Sequence, residues 1–248
     1  MTVRPTSRPK KGVALAIMAK IPHPGACKTR LVPPLTHDEA AALSERFLRD
    51  TVANVAAVAR ATGATVVGAY TPEASDRRLA ELFGPEVVLL AQRGGDFGAR
   101  LYNVALDLFS AGHGGVCLID SDSPTLPPAS LAQSVRALEG RGDRLVIGPA
   151  LDGGYYLIGM KRPQLALFSG IAWSTSSVFD QTLEAATRMR LGTTVLPQWY
   201  DVDDAAGLRL ISRELLGSDG TAGFPAPLTR AFLETLPHAR SYLSEAIG

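Results

Sequence analysis

The stretch Val116-Cys117-Leu118-Ile119-Asp120-Ser121-Asp122-Ser123-Pro124 carries a short apolar run directly into two carboxylates two residues apart. An apolar run of this length, bounded by turn residues, reads as a buried strand, and alternate residues of a strand point to the same side. With the extended geometry continued past Ile119, Asp120 and Asp122 share a side. Like charges that close repel unless a cation neutralises them, so the economical explanation is a divalent metal. Oxygen ligands favour Mg2+ or Mn2+ over zinc. The plainer reading is an Asp-Ser-Pro turn with helix-capping duties, since Asp-x-Asp by itself is a frequent accident.

Working outward, apolar runs of the same kind occur at Val13–Ala19, Thr65–Tyr70, Val87–Leu90 and Leu145–Ile147. Stretches of helical periodicity separate most of them, which predicts an α/β chain with a mostly parallel sheet covered by helices. The clearest helix follows Thr36: Thr36 and Glu39 have capping-box spacing, and Leu43, Phe47, Val52, Val55 and Ala59 recur at roughly helical intervals. A second is expected from Thr71-Pro72 to Gly84, and others over Phe97–Ala111, Ala129–Glu139, Thr175–Leu191 and Asp204–Leu215. Ser218 to Pro227 are rich in Gly, Pro and Ala and read as a surface loop before a short C-terminal helical segment.

The chain has 248 residues, 46% hydrophobic and 20% charged, which excludes a disordered chain or a disulfide-stapled miniprotein and allows a sizeable core. Twenty-five basic against twenty-four acidic side chains leave a formal charge of +1, so no global field draws nucleic acid or an anionic membrane. Any anion binding is therefore local. No apolar stretch approaches the ~20 residues that cross a bilayer, and a soluble protein is expected. The basic start (Arg4, Arg8, Lys10, Lys11) precedes the apolar run Val13–Ala19, but Lys20 ends that run without a cleavage site, so it reads as a strand. Cys27 and Cys117 form neither a metal-ligand spacing nor a disulfide framework, which fits a reducing cytoplasm. The expected organisation is a flexible basic N-terminus over residues 1–11, one catalytic domain over 12–217, and a C-terminal segment over 218–248 packed on the same domain. No feature sets an oligomeric state.

Between the first strand and the first strong helix lies Ala19-Lys20-Ile21-Pro22-His23-Pro24-Gly25-Ala26-Cys27-Lys28-Thr29-Arg30-Leu31. Ligands of open α/β sheets bind beyond the carboxyl ends of the strands, so Lys20, Lys28 and Arg30 project where an anion could sit. Phosphate is the natural partner, lysine supplying point charge and arginine a bidentate fork. The segment is not a Walker A loop, because the glycine immediately before Lys28 is missing. A solvated basic loop is the plainer alternative. A later glycine-rich stretch, Gly148-Pro149-Ala150-Leu151-Asp152-Gly153-Gly154-Tyr155-Tyr156, places Asp152 at the rim of a site or, more plainly, in a hairpin turn.

In Trp199-Tyr200-Asp201-Val202-Asp203-Asp204, Asp201 and Asp203 make a second same-face pair, able to complete a metal shell or orient Asp120 and Asp122 from outside it. Asp203 or Asp204 could equally be a helix N-cap. Gln92 to Arg100 form a glycine-rich turn entering a helix, where an anion could use the N-terminus or Arg100. The glycine spacing is not the dinucleotide fingerprint. His23, His37, His113 and His238 show no ligand or triad spacing, no Gly-x-Ser-x-Gly elbow is present, and Cys27 has no evident base.

Together these residues resemble the bacterial glycosyltransferase-A-like family DUF2064, of the nucleotide-diphospho-sugar transferase superfamily. The elements that carry the resemblance are Ala19-Lys20 with Pro24-Gly25 and Lys28-Thr29-Arg30-Leu31, Gly95-Asp96-Phe97-Gly98 with Arg100, Asp120 to Pro124, Gly148-Pro149-Ala150 with Asp152 to Tyr156, Trp173-Ser174-Thr175 and Asp201-Val202-Asp203. The resemblance implies a three-layer α/β/α fold in which the first loop embraces a nucleotide and Asp-x-Asp holds Mg2+ or Mn2+ on a diphosphate. It implies that Lys20, Gly25, Lys28, Thr29, Arg30 and Arg100 bind nucleotide and phosphates. By the same analogy Asp122 is a direct metal ligand and Asp120 is nearer the ribose or outside the ligand shell. From the residues themselves, Asp201 and Asp203 are candidates to help hold the cation, and Asp152 to orient the acceptor or act as general base.

The implied reaction is glycosyl transfer from a nucleotide sugar to a small-molecule or lipid-linked acceptor. Lys28-Thr29-Arg30-Leu31 also resembles the opening of guanylyltransferases that activate phospholactate, which implies nucleotidyl transfer from a nucleoside triphosphate to a phosphorylated small molecule. The Gly-x-Gly-x-Arg core of sugar-nucleotide pyrophosphorylases is absent. A non-catalytic nucleotide-binding module is the reading from another class.

Overall fold

The computed structural model describes residues 11–71, 76–217 and 221–236. Residues 1–10 of the expected flexible N-terminus, the Pro72 helix start and the end of the C-terminal segment lie outside the described residues, while Lys11, placed in that terminus from sequence, begins the first strand. Strand β1 (Lys11–Ala19) runs through the middle of a seven-stranded sheet, and its residues Ala14 to Ile17 are fully shielded from solvent. A strand covered on both faces needs no polar alternation, which is why this segment reads as a continuous apolar run. Parallel partners flank it, β2 (Thr65–Tyr70) on one side and β4 (His113–Ile119) on the other, with β3 (Val88–Ala91) beyond β2. Past β4 come β6 (Tyr155–Met160), antiparallel to both neighbours, then β5 (Arg144–Pro149) and the edge strand β7 (Gly192–Val195), parallel to β5.

Seven helices are described: α1 (His37–Thr62), α2 (Asp76–Phe83), α3 (Phe97–Ser110), α4 (Pro128–Glu139), α5 (Val178–Arg188), α6 (Ala205–Leu216) and α7 (Pro227–Thr235). Alternate residues of β1 face opposite layers. Val13, Leu15 and Ile17 pack with α1, α2 and α4 through Leu48, Val55, Leu82 and Leu131. Ala14 and Ala16 pack with α3 and α5 through Leu101, Val104 and Ala185. Three layers result. A third cluster joins α1, α6 and α7 around Phe47, Leu208, Ile211 and Leu233, and it also takes in Leu31 from the loop after β1.

The expected capping box of α1 is present: Thr36 Oγ1 accepts from Glu39 N at 3.2 Å and Glu39 Oε2 accepts from Thr36 N at 2.8 Å. The chain moves outward from β1 to β2 and β3, then returns to the far side of β1 as β4. The β1 and β4 connections thus diverge, leaving a crevice beyond their carboxyl ends, the place where open α/β sheets bind ligands.

Two boundaries differ from those read in the sequence. Helix α5 begins at Val178 rather than Thr175, because the Thr175 hydroxyl donates to Ala172 O at 2.7 Å and lies 2.8 Å from Ser177 Oγ, local bonds that compete with helical ones. The end of that segment turns through Arg190, at φ 55, into β7, an edge strand whose short, half-exposed Gly-Thr-Thr-Val sequence carries no apolar run to announce it. No helix among the described residues is long and apolar enough to cross a membrane.

Candidate functional site

The loop after β1 is fixed by its own backbone and by one apolar anchor. Gly25 turns at φ 73, Lys28 sits in the left-handed region at φ 49, and Thr29 to Leu31 form a short 3-10 turn closed by Leu31 N donating to Lys28 O at 2.9 Å. Leu31 is completely buried against α1 and α6, so the turn holds Lys28 and Arg30 over the β1–β4 crevice. Lys20 closes the loop from the other end, its Nζ donating to Ala26 O at 2.6 Å.

Beyond β4, Asp120 N donates to Tyr156 O at 2.9 Å, so the first turn after the strand stays aligned with β6. Val202 N donates to Asp122 O at 3.0 Å, which lays the Asp201–Asp203 loop directly against the Asp120–Asp122 loop. Lys28 Nζ then lies 2.7 Å from Asp122 Oδ1 and 2.7 Å from Asp203 Oδ1, while Arg30 Nη2 donates to Asp203 Oδ2 at 3.0 Å. The basic loop and the acidic loops therefore meet. Phe47 of α1 lies under the ammonium, 5.7 Å from Nζ to the ring centroid.

Burial disfavours the Lys28 charge, but Asp122 and then Asp203 outweigh it and raise the pKa. Asp203 is partly buried, which alone would favour its neutral form, yet Lys28 and Arg30 hold its carboxyl below the usual range. The Asp120 carboxyl is pushed well above its ordinary value, first by burial and then by repulsion from Asp122. Its Oδ2 accepts from Ser123 Oγ at 2.8 Å, whereas Oδ1 is buried with no hydrogen-bond partner. Burial, then Asp152 and Asp203, raise Asp201 to about 6.

Two cavities open on this junction. The larger, about 640 Å³, extends from the carboxylates Asp120, Asp122, Asp152, Asp201 and Asp203 to an apolar wall that includes Trp173. The smaller, about 240 Å³, is lined by Lys20, Cys27, Lys28, Thr29, Arg30, Ser44 and Ser121. Arg30, Asp122 and Asp203 line both, so these three side chains form the partition.

Of the residues singled out in the sequence, Lys20, Lys28, Thr29, Arg30 and all five carboxylates come together here, and Gly25 supplies the turn that folds the loop. Arg100 lines neither cavity; its guanidinium lies over Phe97, 5.7 Å from the ring centroid. The Gln92–Arg100 turn is occupied structurally, with Gln92 Nε2 donating to Ala19 O and Ala69 O, Arg93 paired with Asp107, and Asp96 capping α3. Asp204, not Asp203, caps α6, accepting from Ala206 N and Gly207 N. Asp152 makes the plain turn contact, accepting from Gly154 N at 2.8 Å, and also lines the cavity. Gly153 turns at φ 89, and a Cβ there would come within 2.2 Å of Ser176 O, so only glycine brings this turn against the Ser174–Ser176 segment.

Sequence reading missed Ser44, Met18 and Phe97 as lining residues. Ser44 carried a signal, a hydroxyl on the apolar face of α1 between Leu43 and Phe47. The other two are apolar residues whose place in a cavity wall depends on tertiary packing alone.

The donor chemistry suits a hard divalent cation: every candidate ligand is a carboxylate oxygen, and Asp120 Oδ1 lacks a partner. Among the described residues, however, no three His, Cys, Asp or Glu side chains are gathered as a ready ligand set, and the Lys28 ammonium stands between Asp122 and Asp203.

Comparison with known proteins agrees with this architecture. Residues 54–175 match the family model of DUF2064, described as an uncharacterized protein conserved in bacteria. A protein from Desulfovibrio desulfuricans assigned as a nucleotide-diphospho-sugar transferase is 30% identical, with 93% of this chain and 97% of that chain covered and a TM-score of 0.78. A cytidylyltransferase from Leptospira borgpetersenii superposes at a TM-score of 0.52 with 12% identity over 96% of this chain and 98% of that one. A Bacillus anthracis protein assigned as a glucose-1-phosphate thymidylyltransferase does so at 0.51 with 13% identity, covering 87% of this chain and 99% of that one. The last two share the fold alone. No curated protein matches the chain.

Proposed function

From the premise that the chain belongs to the DUF2064 family, within the nucleotide-diphospho-sugar transferase superfamily of glycosyltransferase-A-like fold, we propose that it transfers a glycosyl group from a nucleotide-diphospho-sugar. The observation that carries this reading is the partition itself: one cationic pocket and one acidic cavity share Arg30, Asp122 and Asp203. The smaller pocket, with Lys20, Lys28 and Arg30, suits the diphosphate. The larger cavity lies directly across the partition and suits the group that receives the sugar.

Asp122 and Asp203 would hold Mg2+ or Mn2+, with Asp120 and Asp201 beside them; when bound, such an ion supplies Lewis acidity that neutralises charge on the departing diphosphate. Lys28 and Arg30 contribute to the same end, placing fixed positive charge where negative charge develops. Lys28 then exchanges its carboxylate partners for phosphate oxygens, a short swing for a side chain with four rotatable bonds. Asp152 and Asp201 face the cavity from the acceptor side, and either could take the proton of an attacking hydroxyl.

Isothermal titration with UDP-, GDP- and CDP-linked sugars in the presence of MnCl2 tests the donor. Heat with one of them, lost in Asp122→Ala, supports the reading, and no heat with any donor contradicts it. Nucleotidyl transfer is distinguished by pyrophosphate release that depends on a nucleoside triphosphate and a phosphorylated acceptor. Ligand binding without turnover, unchanged by Asp122→Ala, would instead mark a non-catalytic module.

A further inference from the structure

The larger cavity has two unlike sets of lining residues. One is apolar and aromatic: Met18, Leu101, Ile158, Phe97, Tyr155 and Trp173. Trp173 meets Phe97 edge-on with ring centroids 5.1 Å apart and Tyr155 at 6.4 Å. Five aspartates line the same cavity. Among the described residues Arg30 is the only cationic side chain lining this cavity, and the donor reading commits it to the diphosphate. Lys28 does not line this cavity and is held by Asp122 and Asp203.

A phosphate group entering here alongside a bound donor would meet carboxylates with no second lining cation to receive it. Even with a divalent ion held by Asp122 and Asp203, the carboxylates of Asp152 and Asp201 still line the cavity. Like-charge juxtaposition of this kind is how a site rejects a ligand class.

From this asymmetry we propose that the larger cavity is the acceptor subsite, and that the acceptor is an uncharged or cationic molecule with an apolar or aromatic body, a hydroxyl or amine nucleophile and no phosphate. The inference rests on the glycosyl-transfer reading. In the step it describes, the acceptor oxygen or nitrogen bonds to the anomeric carbon as the bond from that carbon to the diphosphate oxygen breaks. The electron pair leaves with the nucleoside diphosphate, and the acceptor proton passes to Asp152 or Asp201.

The test uses three probes that share a benzyl body and differ in charge: benzyl alcohol, benzylamine and benzyl phosphate. The protein has two tryptophans, so full-length Trp199→Phe leaves Trp173 emission as a reporter of this cavity. Saturation-transfer NMR on the wild-type protein covers the case in which that substitution perturbs folding. Benzylamine and benzyl alcohol should change Trp173 emission and bind at least about tenfold more tightly than benzyl phosphate, the factor set by about 1.4 kcal/mol of like-charge repulsion. Asp152→Asn should narrow that ratio. Benzyl phosphate binding as tightly as benzylamine at Trp173, or no response to any of the three by either method, overturns the inference. The donor reading is scored separately by nucleotide-sugar calorimetry on the same protein. A bound donor with a benzyl phosphate preference overturns the acceptor assignment alone; the expected probe order with no donor bound overturns the donor reading alone.

Discussion

Replacing Lys28 by methionine keeps an aliphatic body against Phe47 and removes the ammonium that stands 2.7 Å from both Asp122 and Asp203. Deleting one partner of a fully buried pair costs about 3–5 kcal/mol. Here the Lys28 side chain is 5% exposed, but those of Asp122 and Asp203 are 35% and 37% exposed, so water screens what is left behind. The expected loss is therefore about 1–3 kcal/mol. In a chain of this size that lowers Tm by roughly 3–10 °C. The sign with pH follows from Asp203, whose folded pKa is depressed by Lys28 and Arg30. Its contribution is present above the unfolded value of about 3.9 and is lost as pH falls through the lower folded value. The deficit of Lys28→Met is thus full at neutral pH and shrinks under strong acid. MnCl2 should recover more Tm in the variant than in the wild type, because the competing ammonium is gone; saturation at a hundredfold over Kd adds about 2.7 kcal/mol. Scanning calorimetry at low ionic strength across pH, with and without MnCl2, reads all three. A variant within about 1 °C of wild type at neutral pH, with no larger response to Mn2+, would refute the reasoning.

Thr36→Ala should cost about 1 kcal/mol through loss of the α1 cap, read by urea denaturation with an unchanged slope. Asp50 is buried where it accepts from Leu228 N and Thr229 N at the start of α7, and burial raises its pKa despite those bonds. Its charged form is therefore penalised in the fold, so stability is lost as pH rises from about 4 through the raised folded value. Asp50→Asn should remove that slope, and parallel wild-type and variant stabilities across the window would contradict it. Gly153→Ala forces a Cβ into the Ser176 backbone at a positive φ, so it should destabilise by about 1–3 kcal/mol and weaken cavity binding, checked by thermal melting and Trp173 emission.

The strands most easily read were those buried on both faces, because β1, β2, β4 and β5 leave continuous apolar runs between turn residues. The edge strand β7 left none, since Thr193 and Thr194 satisfy a sheet edge without entering the core. Site chemistry was legible where charge was concentrated: Lys28 and Arg30 lie some 170 residues from Asp203, yet the first two stood out as cations crowded in one loop and Asp203 as half of a same-face acidic pair. What sequence could not give was the pairing itself. Lys28 meets Asp203 only because Leu31 anchors one loop and Val202 N ties the other to Asp122. Arg100 shows the converse: a cation at a helix start next to a glycine turn suited an anion site, but its guanidinium lies over Phe97, three residues earlier on α3. The aromatic wall was equally hidden, since Phe97 and Trp173 are far apart in the chain and meet only through tertiary packing.

The most direct measurement is a crystal structure with a bound nucleotide-diphospho-sugar and Mn2+. The account predicts the diphosphate in the smaller pocket, within hydrogen-bond reach of Lys28 and Arg30, with the metal between it and Asp122 and the sugar across the partition in the larger cavity. Phosphates seated in the larger cavity among the aspartates, or on a face remote from Lys28, would contradict it.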